Sequence, residues 1–350
     1  MYFFDRTKNT PDKNGLPDVP TVIKLLESKW SATLFLYQEG VLSMPDVCAK
    51  CGSGIGFKRD PYLTQAKFEQ GSDTKDVDSF KHCFTYRCKN RKCSLEHSIF
   101  KDTFFEHKKK PVNQVLMALH LWLGEANMPS MKLLTGWDEK TVLLYCGEFR
   151  KMVSHYIDLF IMQDCHSDTI CYRGQIGGPG VEVQLDESAF GKRKYGLGHK
   201  VDTKWVFGGV EILQDARGKK RGGKFFAVVV QDRTMSTLEE IMKKFIMPGS
   251  HIVTDGFKSY GHIPYIEGYN YTHFMVNHKK HYKDPITGAC TNTIEGKWNN
   301  LKKKIPRQGF RTDDVLQSYL GEQMWRHQNR EHLWEAAIEA LKSYNKCEFL

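Results

Sequence analysis

Two groups of side chains in this 350-residue sequence have types and spacings that could do chemistry. The first is sulfur: Cys48-x2-Cys51 and Cys88-x4-Cys93. Paired cysteines on two tight turns set four thiolates at the corners of a tetrahedron, which structural zinc prefers, and four protein ligands leave no open position for catalysis. Gly52 stands where the first knuckle must turn back. The second knuckle has four intervening residues where a ribbon usually has two, so Cys83 or His82 could replace one ligand. The second group is carboxylate: Asp186 after the alternating stretch Val181–Leu185, Asp255 closing Ile252-Val253-Thr254, and Glu295 four positions past Thr291. Oxygen ligands drawn from separate elements suit a pair of divalent cations.

Each acid also has an ordinary explanation. Asp186 could be a polar residue at a strand end, Asp255-Gly256 could be a turn, and Asn292-Thr293-Ile294-Glu295 fits a capping box in which Glu295 satisfies a backbone donor. The order of elements favours chemistry. Val181–Leu185, Trp205–Ile212 and Phe225–Val230 read as three antiparallel strands, with Asp215–Lys220 as turn material between the last two. A helix over Thr237–Ile246, a strand at Ile252–Thr254, a fifth strand at Thr272–Val276 and helices from Asn292 and Asp313 complete the series. An acid on the first strand, one on the fourth and one on a later helix is the layout of an α/β, ribonuclease H-like domain with a mixed five-stranded sheet. On the Asn292 helix, Ile294, Trp298, Leu301 and Ile305 form the buried stripe, which leaves Glu295, Asn299 and Lys302 on an adjacent face.

Upstream, one helix is expected through Val22, Leu25, Leu26, Trp30, Leu34 and Leu36. Helical spacing returns after Pro111, breaks at Gly136 and resumes over Asp138–Phe149, a helix-turn-helix-like pattern. Gly174–Gly180 marks a linker. The expected parts are an N-terminal helical segment (1–44), a zinc-ribbon-like domain (45–105), a helical, helix-turn-helix-like region (106–172), the α/β domain (181–330) and a C-terminal helix (331–350).

Composition narrows the class. With 51 Lys+Arg against 41 Asp+Glu the formal charge is +10, which raises the prior for a polyanionic partner. Forty per cent hydrophobic residues exclude a disordered or fibrous chain. The longest apolar run, Val115–Leu123, is too short for a membrane span, and Met1–Arg6 lacks a secretory pattern. A soluble intracellular protein is expected, whose cysteines are metal ligands or core residues before disulfides. Cys146, Cys165, Cys171, Cys290 and Cys347, scattered beyond the cluster, are expected as buried small hydrophobes.

Three blocks resemble the DDE transposases of the Merlin superfamily and their bacterial insertion-sequence relatives. The first is Leu185-Asp186-Glu187-Ser188 with Lys194-Tyr195-Gly196-Leu197-Gly198-His199-Lys200, and the second is Val253-Thr254-Asp255-Gly256-Phe257-Lys258-Ser259-Tyr260. The third is Val276-Asn277-His278 followed by Thr291-Asn292-Thr293-Ile294-Glu295-Gly296 and Leu301-Lys302-Lys303. Tyr86-Arg87-Cys88 and Ser98-Ile99-Phe100 are similar to the end of the family's zinc ribbon, so the resemblance covers about 48 to 330.

The resemblance implies cut-and-paste DNA transposition: cleavage at terminal inverted repeats, then strand transfer into target DNA. It implies Asp186 and Asp255 as ligands of two Mg²⁺ ions (Mn²⁺ as an alternative), with Glu295 as the third and Asn292 as the other candidate. Cys48, Cys51, Cys88 and Cys93 would hold structural Zn²⁺. Lys192, Arg193, Lys194, Lys200, His278 and Lys302 would contact double-stranded DNA, with terminal-repeat recognition left to the zinc ribbon and the helices at 112–150. A homodimer or larger assembly on DNA is implied, with no membrane partner, in the nucleus of a eukaryote or the cytoplasm of a bacterium. A host-recruited DNA-binding regulator, and a related nuclease that cuts without joining, are the alternatives.

Overall fold

In the computed structural model, the structure describes residues 12–43, 45–57, 85–162, 174–191, 203–276, 290–306 and 312–344. The chain divides into two compact units, one of residues 1–152 with 329–350 and the other of residues 153–328.

In the first unit, the apolar run expected as one N-terminal helix is two helices, Val19–Leu25 and Lys29–Gln38. Ser28 divides them: its hydroxyl accepts from the Ser31 N–H, and the Ser31 side chain answers at the Ser28 N–H. That reciprocal cap starts a new helix where apolar periodicity suggested continuation. A three-stranded antiparallel sheet follows in the order β1 (Ile55–Phe57), β2 (Thr85–Cys88), β3 (Glu96–Ser98). Next come the helices Val112–Leu123 and Met128–Thr135 and the first part of the helix Glu139–Met162, whose residues from 153 on belong to the second unit. Asn127 caps the second through the Ser130 N–H at 2.9 Å, and Gly136 ends it at φ +67°, a left-handed conformation that glycine adopts without strain. The C-terminal helix Leu333–Ser343 joins this core, where Trp334 stacks on Phe35 at 6.2 Å and meets the edge of His120 at 5.8 Å.

The second unit is built on a sheet of five strands: β5 (Glu182–Phe190), β6 (Lys204–Gln214), β7 (Lys220–Val230), β9 (His251–Thr254) and β10 (Thr272–Met275), in the order β10-β9-β5-β6-β7. β5, β6 and β7 form an antiparallel meander, whereas β9 pairs parallel to β5 and β10 parallel to β9. A small parallel pair, β4 (Ile176–Gly177) and β8 (Ile246–Met247), lies outside this sheet. All five strands of the large sheet were readable as apolar or alternating runs. Their order was not, because it depends on hydrogen bonds between distant segments.

Successive side chains on a strand leave opposite faces of a sheet, and residues paired across strands share one. Leu185, Gly209 and Phe226 therefore share a face, where Phe226 stacks on Phe245 of the helix Met235–Phe245 at 4.8 Å. Asp186, Gly208 and Ala227 share the other, which takes the helix Asn292–Lys304. The helix Asp313–Gln328 covers strand β7: the Ala227 N–H meets the Met324 sulfur at 3.3 Å and the Val229 N–H donates to Gln317 at 2.9 Å. Such a cover protects an edge strand from pairing with another chain.

Candidate active site

Asp186 lies in the middle of β5, half-buried, opposite Gly208 of β6. The Trp298 indole N–H donates to Asp186 Oδ2 at 3.1 Å. That approach needs Gly208, since a Cβ there would sit 2.6 Å from Trp298 Cη2 and 2.7 Å from the Phe226 carbonyl oxygen. Two residues earlier on the same face, the buried Gln184 side-chain oxygen accepts from the N–H groups of Thr293 and Ile294 at 3.1 and 3.3 Å. A strand side chain thus satisfies donors that a helix's first turn leaves open, and pins the helix start beside Asp186. Glu295, exposed in that first turn, accepts from the Thr291 hydroxyl at 3.2 Å. Asn292 is exposed at the first helical position.

Asp255 follows β9 directly. Its Oδ1 accepts from the Phe257 N–H at 3.0 Å, an Asx turn that leads into the 3₁₀ segment Lys258–Tyr265. β9 lies next to β5, so the strand that ends at Asp255 neighbours the one carrying Asp186. Burial, with Asp255 and Glu295 both adding repulsion, pushes the Asp186 carboxyl up to about 6, against the pull of the Glu187 N–H and the Trp298 indole. The three acids are electrostatic neighbours. Among the described residues, however, the four cysteine sulfurs are the one set of three or more His, Cys, Asp or Glu ligand atoms drawn within 4.8 Å of one another. The acidic trio is more open, as carboxylates that repel each other are.

Glu187 gave no sequence signal beyond its place after Asp186, and strand alternation sends it to the opposite face. There it faces Tyr260, which is buried against Phe207 and Phe257. Burial pushes Glu187 up to about 7; Asp186 and Asp255 push the same way, while the Tyr260 hydroxyl and Arg233 oppose. The Arg233 guanidinium lies 3.8 Å from the Trp205 ring centre and 5.1 Å from that of Phe257. On the Asp186 face, the repulsion from Asp255 and Glu295 is what a bound cation would relieve, whereas Glu187 lies across the sheet from them. Oxygen donors of this kind match Mg²⁺ or Mn²⁺.

The cysteine cluster forms from the four residues expected. Cys48 and Cys93 sulfurs are 3.7 Å apart and those of Cys51 and Cys88 3.4 Å. Tetrahedral zinc with bonds of about 2.3 Å sets sulfurs about 3.8 Å apart, so the cluster fits that ion. The first knuckle turns at Gly52, whose φ is +69° and whose N–H donates to the Cys48 carbonyl at 2.8 Å. The longer second knuckle also closes, with the N–H groups of Cys93 and Ser94 both donating to the Asn90 carbonyl at 3.0 Å. Lys89 N–H to Gly54 carbonyl, 2.9 Å, ties the two knuckles together. Burial raises the Cys88 thiol to about 12, whereas contacts with Ser53 bring Cys51 down to about 6.

Of the cations expected at DNA, Lys302 is exposed with its ammonium 5.4 Å from the Phe190 ring centre. Lys192, Arg193, Lys194, Lys200 and His278 lie outside the described residues, as do Cys83 and His82. Cys146 is buried as expected, with its thiol 3.8 Å from the Met131 sulfur, while Cys290 is half-buried. Among the described residues no helix is long and apolar enough to cross a membrane.

Residues 176–328 match the ISXO2-like transposase domain, a stretch that includes the whole five-stranded sheet with Asp186, Asp255 and Glu295. Over 108 residues the chain is 30% identical to an uncharacterized transposase-like protein of Haemophilus influenzae, a stretch that covers 31% of this chain and 84% of that protein. The five-stranded α/β unit is thus a transposase-type domain. The chain belongs to the ISXO2-like transposase family, on the bacterial insertion-sequence side of the resemblance.

Proposed function

We propose that this chain is a metal-dependent DNA transposase that cleaves DNA at terminal inverted repeats and joins the freed 3′ end to target DNA. The observation that supports this reading is that Asp255 and Glu295 both lie near enough to Asp186, in the middle of β5, to push its carboxyl up. An acid on the first strand of the sheet, one after the strand beside it and one on the helix across that face also support a ribonuclease H-like domain.

Asp186, Asp255 and Glu295 would hold two Mg²⁺ ions, with Asn292 the neighbouring alternative to Glu295. When bound, such ions activate a water or 3′-hydroxyl oxygen as nucleophile and stabilise the leaving oxygen of a phosphodiester. The chain supplies position. Trp298 fixes one Asp186 oxygen, Gln184 fixes the start of the Glu295 helix, and the Asx turn fixes Asp255. Lys302, exposed seven residues after Glu295 on the same helix, suits a phosphate of the bound strand. Cys48, Cys51, Cys88 and Cys93 would hold a structural zinc ion.

Joining one element to new DNA requires two ends, so a homodimer or larger assembly on DNA is expected. The bacterial relative favours the cytoplasmic alternative over the nuclear one. The test is incubation with Mg²⁺, target DNA and a duplex carrying a pre-cleaved 3′-hydroxyl terminal sequence. Joined products are expected. Hydrolysis alone would make the protein a nuclease, and binding alone a regulator.

A further inference from the structure

The ladder between β9 and β5 stops short of both aspartates. Its last pair is Gln184 with Val253, two residues before Asp186 on one strand and two before Asp255 on the other. Beyond that pair β5 runs on to Phe190 alongside β6, while the chain after Thr254 leaves through the Asx turn into the segment Lys258–Tyr265. The ladder therefore leaves the spacing of the two carboxyls open, although carboxylates that repel need something to hold them together.

Two contacts on the opposite face of the sheet do this. Glu187 pairs across the strands with Phe207, and the buried Tyr260 packs on the Phe207 ring at 6.4 Å and edge-on to Phe257 at 5.9 Å. The Tyr260 hydroxyl thereby comes near enough to the Glu187 carboxyl to pull it down. The second contact ties the same segment to the loop after β7. The Ser259 hydroxyl donates to the Arg233 carbonyl at 2.9 Å, and the Arg233 guanidinium lies over Trp205 and Phe257. The chain that follows Asp255 is thus fastened, from behind, to the strands that hold Asp186. Packing alone does not call for polar groups here: Tyr260 Oη and Glu187 Oε1 are both buried without a well-aligned hydrogen bond among the described residues. Apolar side chains of the same shape would fill the space about as stably, so a polar pair next to the first acid and shortly after the second asks for a role at the site.

We propose that Glu187 and Tyr260 are positioning residues, which hold the Asp255 turn against β5 and so fix the separation of Asp186 and Asp255. The inference rests on these two aspartates sharing bound metal, as proposed above.

The test uses the full chain, Mn²⁺ titration followed by electron paramagnetic resonance, and thermal melts of the metal-free protein. Tyr260→Phe keeps the ring and removes the hydroxyl. It is expected to melt no lower than wild type yet to bind Mn²⁺ about tenfold more weakly, as when an outer support of a metal site is lost. Glu187→Leu should weaken Mn²⁺ likewise, whereas Glu187→Gln, which can still accept from the Tyr260 hydroxyl, should keep most of the wild-type affinity. Tyr271→Phe is the control. Its buried hydroxyl donates to the Ile246 carbonyl at 2.8 Å, so its loss should lower the melting temperature and leave Mn²⁺ affinity unchanged. Wild-type affinity in folded Tyr260→Phe and Glu187→Leu, or equal loss in Glu187→Leu and Glu187→Gln, would overturn the positioning role while Asp186→Asn still loses the ion. Equal Mn²⁺ affinity in wild type and Asp186→Asn would overturn the metal site and the positioning role together.

Discussion

The Trp298 indole N–H and the Asp186 carboxylate meet at 3.1 Å across the glycine gap at position 208, so the helix Asn292–Lys304 is fastened to the strand that carries the first acid. The contact has two consequences. It draws down the pKa of a carboxyl that burial raises, and it ties the helix of Glu295 to β5.

Gly208→Ala is expected to destabilise the chain by about 1–3 kcal/mol, the usual cost of overpacking, because the Phe226 carbonyl is backbone and cannot step aside. Thermal melts check this. Trp298→Phe keeps most of the packing and removes the donor, so the Asp186 pKa should rise further. The acidic limb of a cleavage pH profile should move to higher pH. An unmoved limb would mean that the contact does not tune Asp186.

Asp186 and Glu187 give a pH dependence of stability opposite to that of ordinary paired acids. Their carboxyls titrate near 6 and 7 in the folded chain, above their usual 3.8 and 4.5. The folded state therefore keeps protons that the unfolded state has released, and these two groups make stability fall as pH rises from about 4 to about 7. In Mg²⁺-free buffer, Glu187→Gln should lose less stability than wild type between pH 5 and pH 8. Parallel losses would show that Glu187 is not held protonated.

The cysteine cluster predicts about one zinc per chain in purified protein. Cys93→Ser should abolish it and lower the melting temperature, whereas Cys146→Ser, outside the cluster, should keep the metal. Thiols must release protons to bind zinc, so acidification should strip the ion. Zinc retained in Cys93→Ser would point to another ligand.

Strand alternation and a following glycine are local signals, and they set Asp255 at the end of a fourth strand, where it lies. The same signals set Asp186 just after a strand ending at Leu185, whereas β5 runs on to Phe190 and carries Asp186 at its middle. The contacts that orient them were not legible, since they join residues far apart in sequence. Gln184 reads as an ordinary strand polar residue, yet it supplies the cap expected from the capping box at Asn292–Glu295. Trp298 reads as core, and only the pairing of Gly208 with Asp186 shows why its indole reaches a carboxylate. The N-terminal helix was misjudged because periodicity passes through Ser28, whereas capping depends on two short side chains three residues apart. Spacing alone left the second cysteine knuckle open, and main-chain bonds to Asn90 explain how four intervening residues still turn tightly.

The central claim is that the carboxylates around β5 form a single divalent-cation site. Titration of the full chain with Mn²⁺, followed by electron paramagnetic resonance, tests it without requiring the terminal DNA sequence, and Mn²⁺ prefers oxygen ligands to the cysteine cluster. Wild type is expected to bind Mn²⁺, with affinity reduced at least about tenfold in either Asp186→Asn or Asp255→Asn, as expected when an ionic ligand is lost. Glu295→Gln should weaken binding more than Asn292→Ala. Equal Mn²⁺ affinity in wild type and both folded aspartate variants would contradict the account.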